Sequence, residues 1–184
     1  MKKIFDVKIG NPIGNLYRKN HVLVLIQLSN GNFLMGQKKG FYPDNISRFI
    51  GGGVEKGEDI LKTAQREVEE ELKIDINLNK FTHFAEIATN ATTNEGEMSM
   101  VTNIFGVVID KDLKLTASDD LSGVVELTPS QFNQLVFEMN TLTGTLVTEK
   151  FSFNWEDWGK IYGPIHETSM AEFLKPTQKT DHQD

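Results

Sequence analysis

The chain has no cysteine, only five prolines and two tryptophans, and no apolar run long enough to cross a bilayer. The first absence excludes a disulfide framework, a thiolate nucleophile and any thiolate metal site. The longest apolar run, residues 22–26, falls far short of the roughly 20 residues that a membrane helix needs. The amino terminus opens Met1-Lys2-Lys3, yet no apolar stretch follows, so it does not read as a signal peptide. A cytoplasmic protein without a membrane partner is the expectation. An excess of positive charge is missing too: the formal net charge is −7, which argues against a broad electrostatic footprint for nucleic acid. A small phosphorylated ligand is still compatible, because a bound divalent cation reverses the local sign of a site.

What is present is ordinary globular material: 184 residues, 39% hydrophobic and 24% charged, enough for one sizeable core. No repeat or linker divides it, so residues 1–175 read as a single domain, and the polar, unpatterned residues 176–184 as a disordered tail. Residues 21–28 are rich in Val, Leu and Ile. Ser29-Asn30-Gly31-Asn32 supplies turn chemistry and Phe33-Leu34-Met35-Gly36 resumes the pattern, which predicts a β-hairpin. Residues 59–73 predict a helix with Leu61, Ala64, Val68 and Leu72 on its buried stripe. Residues 81–89 and 100–109 read as strands with a polar loop, 90–99, between them. Pro129 opens a second helix through Met139 with Thr128 as N-cap, and residues 169–174 form a short last helix. Strands and helices mix without regular alternation, so the expected class is an α/β layered domain with a mixed β-sheet.

The informative run is Gly51-Gly52-Gly53-Val54-Glu55-Lys56-Gly57-Glu58, followed at once by the predicted helix with its Arg66-Glu67-Val68-Glu69-Glu70-Glu71. At about 100° per residue, Glu67, Glu70 and Glu71 share one edge of the buried stripe, while Glu69 falls on the other side. Like charges at helical spacing cost roughly 0.2–0.5 kcal/mol per pair. Arg66 offsets part of this by reaching Glu70 at i+4, and a hard divalent cation with oxygen ligands would offset the rest. A glycine-rich loop allows close backbone approach to a phosphate or metal. Each feature alone has a bland alternative, a solvated acidic helix face or a plain strand-to-helix turn.

Taken jointly, the spacing resembles the Nudix box, G-x5-E-x7-R-E-U-x-E-E-x-G-U, where U is a bulky aliphatic residue. Gly52, Glu58, Arg66, Glu67, Val68, Glu70, Glu71 and Ile74 fit it, across 23 residues. Lys73 stands where the family has its last glycine; it can take the left-handed conformation that ends a helix, at a cost of about 1 kcal/mol. The resemblance implies an α/β/α sandwich and hydrolysis of a phosphoanhydride bond in a nucleoside diphosphate linked to another moiety. It also implies Mg²⁺, with Mn²⁺ as a substitute, held by Glu67, Glu70 and Glu71. Arg66 would orient the glutamates, and Glu58 would support the loop–helix junction. The family's general base is a box glutamate, here Glu70 or Glu71, or an acidic residue on a later loop. Glu97 is the first candidate of that kind, with Glu95 beside it and Asp120 and Glu126 behind.

Gly52, Gly53, Lys38 and Lys39 are the candidate substrate-binding residues, the lysines weighed against plain solvated surface. Phe153, Trp155 and Trp158 suit core or dimer packing better than base stacking, and the four histidines show no metal-ligand spacing. The length and the segment ahead of the first hairpin favour an ADP-ribose or nucleotide-sugar substrate and a homodimer. Three alternatives stay open: a non-catalytic nucleotide-binding sensor, an enzyme similar to isopentenyl diphosphate isomerase, which the absence of cysteine disfavours, and an acidic interaction module.

Overall fold

Val22, Val24, Ile26 and Leu28 alternate with Leu23 and Leu25, and the strand period of two sends the two sets to opposite faces. All six are buried. In the computed structural model, which describes residues 1–38, 46–147 and 152–175, this segment lies inside a seven-stranded mixed sheet. The strands are β1 (Lys2–Lys8), β2 (Asn20–Leu28), β3 (Phe33–Lys38), β4 (Ile50–Gly53), β5 (Thr82–Thr93), β6 (Gly96–Ile109) and β7 (Leu121–Leu127). Their order is β1-β5-β6-β2-β3-β7, with β4 also on β2. One edge of β2 runs parallel to β6 along its whole length. The other edge is shared: Ile26 and Gln27 pair with β3, whereas His21 to Val24 pair with β4. That division delivers the glycines of β4 to the end of the sheet where the chain turns into the first helix.

α1 (Ile60–Leu72) covers one face, with Ala64, Val68 and Leu72 packed on Val22, Val24, Ile26, Ile50 and Phe105. α2 (Pro129–Asn140) and α3 (Trp155–Phe173) cover the other, where Phe132, Trp155 and Ile165 meet Leu23, Leu25 and Phe33. The result is the expected α/β/α sandwich. A short ribbon, β8 (Thr145–Val147) paired with β9 (Ser152–Asn154), leads into α3. Among the described residues, no helix is long and apolar enough to cross a membrane.

The predicted hairpin forms, and the first two helices form within a residue of their expected bounds. Thr128 closes a capping box with Gln131. Other expectations need correction. The polar stretch 90–99 is mostly strand, because Ile87, Thr89, Ala91 and Thr93 all point inward and continue the alternation. Residues 2–8 form β1, parallel to β5, and residues 121–127 form β7. The predicted short helix at 169–174 is the end of the 19-residue α3. Gly159, Gly163 and Pro164, residue types that disfavour a helix interior, all lie inside α3, and the two glycines allow α2 to approach. A methyl on Gly159 would lie 2.1 Å from the Met139 carbonyl oxygen, and one on Gly163 2.0 Å from Asn140 Oδ1. Trp155 and Trp158 are core residues, 0% and 3% exposed, so neither offers a base-stacking surface. Lys39 and residues 176–184 lie outside the described residues.

Candidate active site

α1 is fixed at both ends by its own sequence. Asp59 caps it, its carboxylate accepting from the main-chain N–H of Leu61 at 2.9 Å and Lys62 at 3.2 Å. Lys73 ends it in the left-handed conformation, φ 56° and ψ 37°, and its N–H donates to the Glu69 carbonyl. Burial of Val68 and Leu72, both fully inaccessible, contributes roughly 1.5–3 kcal/mol each. That burial holds the helix in one rotation, with Glu67 and Glu71 turned towards β4.

Glu67 and Glu71 are each only 8% exposed. The Gly52 slot explains how Glu67 fits there, since a methyl on Gly52 would lie 2.5 Å from Glu67 Oε1. Burial pushes the Glu67 carboxyl up from its ordinary value, with Arg66 opposing. Burial does the same to Glu71, opposed by Arg48 and Lys38, and Lys38 Nζ lies 3.8 Å from Glu71 Oε1. Glu70 differs: its side chain is 58% exposed.

Arg66 ties these groups together. Its Nε and Nη2 donate to the two oxygens of Glu58 at 2.8 and 3.0 Å, a bidentate pair. Nη1 donates to Glu67 at 2.8 Å and to Glu70 at 3.1 Å, and Nη2 also reaches the Gly53 carbonyl at 3.3 Å. These bonds from Arg66 are the largest cause of the Glu58 carboxyl being lowered to about 2. One guanidinium thus joins the loop, the end of β4 and the acidic flank of the helix. Among the described residues, no three His, Asp or Glu groups converge on one point as a ready metal cage, and Arg66 engages one oxygen each of Glu67 and Glu70. The donor set nevertheless fits a hard divalent cation. It offers carboxylate oxygens only, two of them on buried groups whose ionisation burial disfavours and a cation would restore.

A cleft of about 580 Å³ opens on this flank, lined by Arg18, Lys38, Gly52, Glu67, Glu71 and Asp120 among others. Glu70, Lys73 and Asp119 also reach it. Its far wall is the loop 116–120, docked on the end of α1 by Thr116 N–H to the Leu72 carbonyl at 3.1 Å and Ser118 N–H to the Glu71 carbonyl at 2.9 Å. A larger cleft, about 910 Å³ against Phe84, Gly106 and Phe173, contains none of the motif residues.

The remaining sequence candidates separate here. Lys38, Gly52, Glu67, Glu70, Glu71 and Asp120 come together. Glu97 does not lie on a loop; it is an exposed residue of β6, accepting from Thr92 Oγ1 at 3.2 Å, and it does not line the cleft. Glu95 accepts from the Tyr17 hydroxyl at 2.9 Å at the tip of the β5–β6 hairpin and is also outside the cleft. Glu126 is held by Asn30 and Asn32 at the β2–β3 turn. Sequence reasoning missed Arg18 and Asp119. The acidic dipeptide before β7 was a faint signal for Asp119, and nothing local marked Arg18.

The chain matches the NUDIX domain family over residues 17–145, more than half its length. Among solved structures, a MutT/nudix family protein from Enterococcus faecalis shares 19% identity with a TM-score of 0.50. The match covers 74% of this chain and 50% of that one, so the chain spans half the length of that relative. The E. coli dihydroneopterin triphosphate pyrophosphohydrolase shares 18% identity at a TM-score of 0.51, covering 65% of this chain and 84% of that one. The NUDIX domain of Shewanella oneidensis NrtR, complexed with ADP ribose, shares 13% at 0.51, covering 62% and 75%. At such identities the likeness is one of fold. No curated protein matches the chain.

Proposed function

The chain belongs to the NUDIX domain family, and from that premise we propose that it is a Mg²⁺-dependent hydrolase. It cleaves the phosphoanhydride bond of a nucleoside diphosphate linked to a second moiety, ADP-ribose or a nucleotide sugar being the first classes to try. The observation that carries this reading is the pair of buried carboxylates, Glu67 and Glu71, lining an open cleft. A fold gains no stability from burying two carboxylates side by side on one helix flank. Their retention there is understandable if they serve a ligand of opposite charge.

Glu67, Glu70 and Glu71 would hold the ion, with Mn²⁺ as a substitute. When bound it would neutralise the diphosphate and lower the pKa of a water molecule. The chain's own residues do the positioning. Arg66 holds Glu67 and Glu70 at a fixed separation through one nitrogen, and its pairing with Glu58 keeps the guanidinium from swinging towards substrate. Gly52 leaves room for the Glu67 carboxylate against the strand, which holds it at the cleft. Lys38 adds positive charge on the Glu71 side. For accepting a proton from the attacking water, Asp119 and Asp120 take precedence over Glu97, because they line the cleft and Glu97 does not.

The test is phosphate release, after phosphatase coupling, from ADP-ribose, NADH, diadenosine polyphosphates, nucleotide sugars and nucleoside triphosphates. Release from at least one is expected with Mg²⁺, none with a chelator, and none from Glu71→Gln. Tight nucleotide binding without turnover of any of them would replace this reading with that of a sensor.

A further inference from the structure

Two non-glycine residues among those described have positive φ, Lys19 and Lys73. Lys73 is the left-handed end of α1. Lys19, at φ 62° and ψ −39°, caps no α-helix and lies in a sparsely populated region that strains the backbone. Its surroundings hold it there: Val101 N–H donates to the Lys19 carbonyl at 2.6 Å. On the other side, the 3₁₀ turn Gly14–Arg18 is anchored by buried Ile13 and Leu16. The strained residue sits between that turn and β2, directly after Arg18.

Arg18 is aimed at the cleft. A methyl on Gly53 would lie 2.9 Å from Arg18 Cδ and 3.0 Å from its Nη1, so the side chain rests on bare main chain that any other residue would crowd. Strand alternation turns Gly52 towards α1 and Gly53 the opposite way. Glu67 and Arg18 therefore straddle β4, and both line the same cleft. Two of the other cations there are engaged, Arg66 by Glu58, Glu67, Glu70 and the Gly53 carbonyl, and Lys38 by Glu71; Lys73 lines the cleft at the C-terminal end of α1. Arg18 pairs with no carboxylate among the described residues, although the cleft is rich in them. An exposed guanidinium seated on bare main chain and left without a carboxylate is set for an anion from solution, and its planar fork matches a phosphate.

We infer that Arg18 binds the non-reacting phosphate of the substrate's diphosphate, across β4 from the glutamates that attend the reacting one. The identity of the substrate here rests on the hydrolase reading; the anion-binding role of Arg18 does not. The probe is ADP, titrated calorimetrically into the parent protein and into Arg18→Ala, Arg18→Lys and Gly53→Ala, with melting temperatures recorded alongside. Arg18→Ala is expected to weaken ADP binding about tenfold or more, the effect of losing a charged hydrogen-bond pair. Arg18→Lys should recover part of that loss. Gly53→Ala, which pushes the guanidinium off its seat, should also weaken binding, with the melting temperature unchanged in all three.

For whichever nucleotide is hydrolysed, KM should rise at least as much in Arg18→Ala while kcat stays within about threefold. Unchanged ADP affinity in Arg18→Ala, or no ADP binding by the parent protein, overturns the inference. Arg18-dependent binding without turnover of any substrate would leave the inference standing and remove the hydrolase reading. Turnover with Arg18-independent binding and KM would do the reverse.

Discussion

On the α1 side of the sheet the buried set is mainly aliphatic, Ala64, Val68 and Leu72 against Val22, Val24 and Ile26, and two carboxylates are buried at its rim. On the α2–α3 side it is rich in aromatics. Phe49 stacks on Phe132 at 5.6 Å and on His166 at 4.3 Å, and Trp158 stacks on Tyr162 at 4.7 Å. Aromatic side chains carry the larger burial energy and add pair geometry to it. The layer without the motif thus supplies packing, and the layer with it tolerates groups that packing alone would not select.

If that division holds, changes in the two layers should separate activity from stability. The largest effect belongs to Glu71→Gln, expected to reduce turnover by roughly a thousandfold or more, the scale of losing a key charged group in an active site. The same change should raise the melting temperature of the metal-free protein at neutral pH, because burial raises the Glu71 carboxyl and its ionisation then costs the folded state. A lower melting temperature would mean that Glu71 is chiefly structural. Next comes Phe132→Ala in the opposite layer, which should cost roughly 3–5 kcal/mol in a denaturant titration while leaving KM of the folded fraction unchanged. A raised KM there would show that the layers are coupled.

A third test uses pH. His166 is fully buried; its Nε2 accepts from Phe49 N–H at 3.2 Å and its Nδ1 lies 2.8 Å from the Tyr162 carbonyl oxygen. Burial lowers its pKa from the ordinary 6.5 to about 4. The unfolded chain therefore takes up the proton first, and the native state loses stability as pH falls from 6.5 towards 4, by up to roughly 3 kcal/mol. Above 6.5 the ring is neutral in both states and contributes no slope. His166→Gln should flatten the pH dependence across that window in urea titrations; an unaltered slope would sink the assignment. The smallest effect is that of Lys73→Gly, where relief of the left-handed strain is offset by a more flexible unfolded chain. A shift within about 1 kcal/mol is expected, and a larger one would mean that the lysine side chain carries its own contacts.

Much of the α1 layer is legible in the amino-acid order. The spacing of Ala64, Val68 and Leu72 marks the helix, Asp59 and Lys73 its ends, and Glu67, Glu70 and Glu71 a shared flank. The α2–α3 layer is less so. Gly159, Gly163 and Pro164 are local breakers, and their use as close-approach points exists only once α2 lies alongside. Ala91 and Thr93 are buried residues of a stretch that is polar by composition although its period is that of a strand, and the same extension moves Glu97 from an expected loop into β6. β1 has no local mark either, since it is stabilised by parallel pairing with a partner some eighty residues away.

By itself, then, the amino-acid order determined the helix, its caps, the acidic flank and the family pattern, because each depends on residues within one or two turns of one another. Tertiary structure alone decided that Glu67 and Glu71 are buried while Glu70 is exposed, that residues 116–120 wall the cleft, and that Arg18 lies over Gly53. Those outcomes depend on how β2 divides one edge between β3 and β4 and on which distant loops that division brings to the same end of the sheet. Local spacing carries no information about that choice.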